Sequence, residues 1–140
     1  MAQKSKKSLK KEAWSAFSAY IRTRDCLRFS GNPDNGKCVT CNREYPYKKL
    51  QAGHFIGGRT NAVLFDERIV YSQCYGCNVG KSGSYLEYFY FMESEIGRSA
   101  IDNLVAELKA KKIAYSSEDY IYIKSLYEKK RERLLTQQNT

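Results

Sequence analysis

The sequence predicts an α+β domain, and three observations predict it. Two CxxC pairs, Cys38–Cys41 and Cys74–Cys77, stand 32 residues apart with β-type runs between them. Apolar residues recur at helical spacing before the first pair and after the second. The chain has 140 residues, 42% of them hydrophobic, enough for a single domain with a modest core. No linker or internal repeat divides it.

Taken in order, residues 1–8 are Lys- and Ser-rich and read as a basic flexible tail that can touch phosphates. Residues 9–30 read as a helix, with Leu9, Ala13, Trp14, Phe17, Tyr20 and Ile21 on its apolar face and Ser8 as its N-cap. The turn formers from Ser30 to Gly36 end it. Residues 37–97 form the core: a knuckle at Cys38–Cys41, a strand over 48–56, a loop at Gly57–Asn61, and a second strand around Ile69-Val70-Tyr71. The second knuckle follows and turns the chain into a helix through Tyr85, Tyr88, Phe89 and Met92, stopped by Gly97. Residues 98–136 carry two more helices, the last capped by Ser116 or Ser117.

Each CxxC pair lets two thiolates of one tight turn face the same ion. Four thiolates suit zinc, which is borderline-soft and accepts any tetrahedral arrangement. Buried unligated cysteines are a poor account of two such pairs, and no thioredoxin-like βαβ pattern supports a redox role. Four sulfurs leave no open position, so the zinc is expected to be structural, pinning a β-hairpin plus helix. Cys26 is left over. No apolar run approaches a membrane span, and the N-terminus lacks the apolar stretch of a signal peptide, so a soluble intracellular protein without a membrane partner is expected.

The formal net charge is +9. By segment it is +5 over residues 1–36, +4 over 37–81, −4 over 82–108 and +4 over 109–140. A polyanion is the simplest partner for basic stretches on both sides of the motif region, ahead of plain solubilising charge. The only histidine, His54, lies between the knuckles near the end of the predicted strand, in Gln51-Ala52-Gly53-His54-Phe55-Ile56. Asn78 follows the second pair directly, and Lys81 comes a turn later.

This order of features resembles the ββα-metal, or HNH, nucleases. A closer resemblance is to the NinG (Rap) recombination endonuclease family of phage lambda. It is carried by Ala13-Trp14-Ser15-Ala16-Phe17-Ser18-Ala19-Tyr20-Ile21-Arg22, Cys38-Val39-Thr40-Cys41, Gln51–Ile56, Asn61-Ala62-Val63-Leu64-Phe65-Asp66-Glu67-Arg68 and Gln73-Cys74-Tyr75-Gly76-Cys77-Asn78-Val79-Gly80-Lys81, and covers residues 9 to 108.

The resemblance implies a metal-dependent endonuclease for branched recombination DNA such as Holliday junctions and D-loops. It implies a bacterial host cytoplasm if the chain is phage-encoded. His54 matches the general base, and Asn78 matches the helix position that holds a divalent ion, magnesium or manganese. The chain departs from the pattern at three places: Ile69 stands where the family has Asn, Tyr71 where a His is common, and Gly53 where an acidic residue often precedes the base. Asn61 or Asp66 is then the substitute for the missing Asn, and Asp66 or Glu67 the expected carboxylate ligand. Arg59, Arg68 and Lys81 are expected to hold phosphates. A two-fold dimer would suit an enzyme that cuts two strands. The Ile69 and Gly53 departures favour an alternative, a zinc-stabilised DNA-binding protein without catalysis. A third reading, a protein-interaction module, draws on the Tyr-rich stretch from Tyr85 to Tyr90.

Overall fold

The computed structural model describes residues 3–137. Helix α1 (Lys6–Ser30) is the beam on which the other elements rest. It starts three residues earlier than the sequence reading, because the Ser5 hydroxyl, not that of Ser8, caps it by accepting the Ser8 N–H at 3.1 Å. Lys6 to Ser8 of the expected flexible tail are therefore helical, while residues 1–2 lie outside the described part. Gly31 ends the helix in the left-handed region at φ 74°, its N–H returning to the Leu27 carbonyl.

A short ribbon follows, β1 (Asn35–Lys37) antiparallel to β2 (Glu44–Pro46), with Cys38 to Cys41 at its turn. The sequence reading had no ribbon here, since three-residue strands leave no alternation to read. Asn42 closes the turn at φ 62°, a conformation that asparagine tolerates better than most residues. One 3₁₀ turn at Tyr47–Lys49 leads into β3 (Leu50–His54), two residues shorter at each end than expected.

Strand β3 pairs antiparallel with β4 (Val70–Cys74), placing Leu50 opposite Cys74 and His54 opposite Val70. The connection is no tight hairpin. It holds a one-turn helix, α2 (Asn61–Leu64), and a 3₁₀ turn at Glu67–Ile69 that Asp66 caps through the Arg68 N–H. The second knuckle does not run on into the long helix, as the sequence reading had it. Gly76–Gly80 form a π-type turn, with Lys81 N–H bonded to the Gly76 carbonyl at 2.8 Å. Ser82, Gly83 and Ser84 then all take positive φ, which breaks the helix before α3 (Tyr85–Ile96) begins. Gly97 separates α3 from α4 (Arg98–Ala110). Ser116 and Asp119 exchange side chain-to-backbone hydrogen bonds to open α5 (Ser117–Gln137).

The core lies between α1, the β3–β4 pair and the C-terminal helices. Phe17 meets Tyr127 of α5 edge-on at 4.8 Å, and Ile21, Ile69, Val70 and Met92 are fully enclosed. A buried ion pair ties α1 to β4. Asp25 is enclosed, pairs with Arg24 at 2.8 Å and accepts the Ser72 N–H at 2.8 Å, while Arg24 donates to the carbonyls of Glu67 and Val70. Burial raises the Asp25 carboxyl, against the pull of Arg24. Helix α5 is fastened to α1 by Lys124–Glu12 at 2.8 Å and by Arg131 Nε donating to Thr23 Oγ1. No described helix is long and apolar enough to cross a membrane.

Candidate functional site

The four knuckle sulfurs converge. The first pair hangs from the turn of the β1–β2 ribbon, the second from the end of β4. All four Sγ atoms lie within 4.8 Å of one another, with Cys41 and Cys74 at 3.9 Å. A tetrahedron of thiolates about 2.3 Å from a zinc ion has sulfurs about 3.8 Å apart, so the cage has the right size. Donors surround it: Thr40 Oγ1 is 3.2 Å from Cys38 Sγ, and the Cys77 N–H reaches Cys74 Sγ at 3.4 Å. Burial pushes the Cys41 thiol up to about 12. At Cys74 burial acts the same way but is outweighed by the Cys77 N–H and the Tyr45 hydroxyl, which hold it down to about 7. Four crowded sulfurs cannot all shed protons unaided, and a cation in the cage is what would let them.

His54 ends β3. Strand alternation sends its side chain to the α1 side, where it stacks on Trp14 with centroids 5.3 Å apart and planes 19° from parallel. Arg59 lies over the same indole at 4.6 Å. His54 Nε2 is 3.1 Å from the Leu64 carbonyl. A carbonyl can only accept, so Nε2 carries the hydrogen and Nδ1 the lone pair. Burial and, less strongly, the Arg59 charge lower its pKa below 6.5, against the Leu64 carbonyl, which raises it. The imidazole is therefore a neutral base at pH 7, held in one tautomer.

Gln51 and Gly53 face the other way, toward the second knuckle. Asn78 Nδ2 donates to Gln51 Oε1 at 2.8 Å. A Cβ added at Gly53 would stand 1.8 Å from Gln73 Oε1 and 3.0 Å from Asn78 Oδ1. Gln73 is fully buried, its Nε2 donates to Thr40 Oγ1 and the Gly83 carbonyl, and its Oε1 has no partner.

A family model described as Bacteriophage Lambda NinG protein matches residues 1–137. The chain belongs to the NinG family. "Protein ninG" of Salmonella phage P22 is 31% identical over 124 residues, covering 86% of this chain and 54% of that protein. Those of Escherichia phage 933W and Escherichia phage lambda are likewise 31% identical over 124 residues, covering 55% and 54% of their length. The chain thus spans about half the length of these curated NinG relatives. No solved structure matches it.

Not all the residues singled out in this NinG-family sequence come together. His54 and Arg59 share the Trp14 indole, and Asn78 reaches the opposite face of the same strand end. Asp66 is elsewhere. Both its oxygens accept from Arg68, which also pairs with Glu107 of α4 at 2.5 Å, so Arg68 is committed within the fold. Glu67 is held by Lys130 and Tyr127 of α5. Among the described residues, the four sulfurs are the only group of His, Cys, Asp or Glu atoms close enough to share a metal. Asn61 is bonded to the Ile113 carbonyl. Ile69 is fully buried, its carbonyl accepting the Phe55 N–H, and Tyr71 lies under Arg24. Two site residues escaped the sequence reading. Trp14 passed as one more apolar position on α1, and Gln73 as an ordinary strand residue. Its place directly before a knuckle cysteine, in a string that carries the family resemblance, was the available signal.

Proposed function

We propose that the chain is a metal-dependent, structure-specific DNA endonuclease acting on branched recombination intermediates such as Holliday junctions and D-loops, in the cytoplasm of a bacterial host. Its fold at the site is read as ββα-metal: β3 and β4, a structural zinc at the knuckles, and the turn bearing Asn78. The observation that carries the reading is the single-tautomer, neutral His54 at the end of β3, with Nδ1 left to accept a proton. A positioned neutral imidazole takes the proton of a water attacking a phosphodiester. Trp14 holds the ring plane, and Arg59 places a positive charge beside it for the phosphate. Asn78, together with the partnerless Gln73 oxygen beside Gly53, fits a divalent ion, magnesium or manganese. Such an ion, when bound, neutralises charge on the departing oxygen. Asp66, Glu67 and Arg68 have no part in this reading, since their charges are spent on each other and on α4 and α5. Lys81, exposed beside the knuckle, is kept as a phosphate contact.

A DNA-binding protein without catalysis is the second reading. It is favoured by the neutral amide donors that stand where a carboxylate would bind the ion more tightly. A gel assay on a four-way junction against linear duplex, with the zinc-loaded chain and magnesium or manganese, separates the two. Cleavage of the junction alone is expected. Tight junction binding with no cut in either metal would establish the second reading.

A further inference from the structure

We propose that Tyr85 is a stacking platform for an unpaired nucleobase of branched DNA, so that it reads the branch and not the base sequence. The inference rests on the DNA reading above, though not on cleavage. Tyr85 is 63% exposed, yet its ring is held in place. It lies parallel to the Phe55 ring, with planes 3° apart and centroids at 5.6 Å. Phe55 is buried and packs against Tyr88 and Phe89, so the inner ring is fixed in the core and the outer ring is fixed on it. One face of Tyr85 is spent on Phe55, and the other is left to solvent. Tyr75 and Tyr122 are as exposed, but no ring among the described residues holds either of them. A ring already immobilised loses little freedom when a base stacks on it.

Strained backbone puts the ring there. Ser82, Gly83 and Ser84 take φ of 50°, 98° and 49°, a run that serine does not favour. The run is tied to the second knuckle: the Gly83 N–H donates to the Cys77 carbonyl at 2.9 Å, and the Gly83 carbonyl accepts from Gln73 Nε2 at 2.9 Å. Tyr85, the first residue of α3, is thus carried by the knuckle, while the ring beneath it belongs to the residue after His54. His54 stacks on Trp14 of α1, and Phe55 packs on α3. Neighbouring residues of one strand end therefore serve two different elements, which suits a substrate whose strands part there. A paired, stacked duplex keeps the faces of its bases covered, whereas any unpaired base offers a face to an aromatic ring. The charge beside the ring agrees. Arg98 lies 5.5 Å over Phe89, one turn along α3 from Tyr85, and its exposed pairing with Asp102 is worth little. Glu87 is turned about 200° around the helix from Tyr85, where it lines a groove with Lys37 and Asn42.

The test is a binding experiment on the zinc-loaded chain without magnesium or manganese. The probe is a duplex with a single-stranded flap whose first unpaired base is 2-aminopurine. Binding should quench its emission. Tyr85→Ala should abolish the quench and weaken flap binding roughly 5- to 100-fold, the usual effect of losing one base–aromatic stack, while leaving duplex binding and the salt slope unchanged. Tyr85→Phe should behave as the unaltered chain. Tyr85→Leu keeps Phe55 covered, so it should unfold at the same denaturant concentration and still lose the quench. The proposal is overturned if the quench survives Tyr85→Ala and Tyr85→Leu, or if flap and duplex binding weaken equally. It is also overturned if sedimentation without DNA shows a dimer that Tyr85→Ala dissociates, since the ring would then face a second copy of the chain. A Tyr85-dependent quench in a chain that cuts no DNA with either metal upholds the platform and sinks the nuclease reading. Junction cutting by a chain whose quench ignores Tyr85 does the reverse.

Discussion

At the scale of single residues, the site turns on which atom of His54 is free. The Leu64 carbonyl takes Nε2–H, so the lone pair left to accept a proton is that of Nδ1. His54→Ala should leave zinc content and junction binding intact while lowering cleavage roughly 10²–10⁴-fold, the usual contribution of positioned acid–base catalysis. The pH profile has a definite sign. A base works when neutral, and the folded chain keeps His54 neutral below its ordinary 6.5. Cleavage should therefore hold through pH 6.5 and fall only at lower pH, where an acid limb centred above 6.5 would contradict the assignment. Stability follows the same direction: below 6.5 the unfolded chain takes up the proton first, so stability is lost as pH falls. Ile69 sets a different limit. Placing there the Asn that the HNH resemblance implies would not simply raise the rate, because the position has no exposure and its neighbours are core. Ile69→Asn should cost about 2–5 kcal/mol by cavity and desolvation together, read from denaturant unfolding.

At the scale of elements, the two knuckles hang short pieces of chain on one cage. The β1–β2 ribbon has three residues a strand, and the π-type turn five. Neither is stable alone, since isolated two-stranded ribbons are marginal in water. Zinc binding contributes on the order of 10–16 kcal/mol in small peptides. Cys38→Ser or strong chelation should therefore melt the ribbon and the second knuckle, seen as lost amide protection there. A zinc-free Cys38→Ser chain with native protection at both knuckles would show that the cage is ornamental. These elements also mark where the sequence could be read. The paired cysteines, the apolar stripe of α1 and the Gly97 stop are written in residue type and spacing. The break before α3 is not: Ser82 and Ser84 take positive φ, which serine does not advertise, so the second knuckle looked continuous with the helix. Glu67 and Arg68 looked like free site charges because their partners, Tyr127, Lys130 and Glu107, lie about 40 to 60 residues away in sequence. The close packing of Gln73 on Gly53 was equally invisible, as it exists only in the folded chain.

At the scale of the molecule, the charge of +9 is unevenly available. Arg24, Arg28, Arg68, Lys124 and Lys130 face carboxylates within the fold. Arg59 instead lies against the Trp14 indole on which His54, at the end of β3, is stacked, and Lys81 is exposed just after the second knuckle. If DNA crosses that strand end, each phosphate neutralised releases counterions, and log K falls with log salt by roughly 0.9 per contact. Arg59→Ala and Lys81→Ala should each reduce the slope by about 1 on any DNA tested, without changing the preference for a junction over a duplex. Arg68→Ala should leave the slope where it was, because Asp66 and Glu107 already occupy that guanidinium. Fluorescence anisotropy across a salt series measures all three variants. A slope that drops for Arg68→Ala and not for Arg59→Ala would move the DNA path to the α4 side, away from His54, and no cleavage chemistry based on that histidine would survive it.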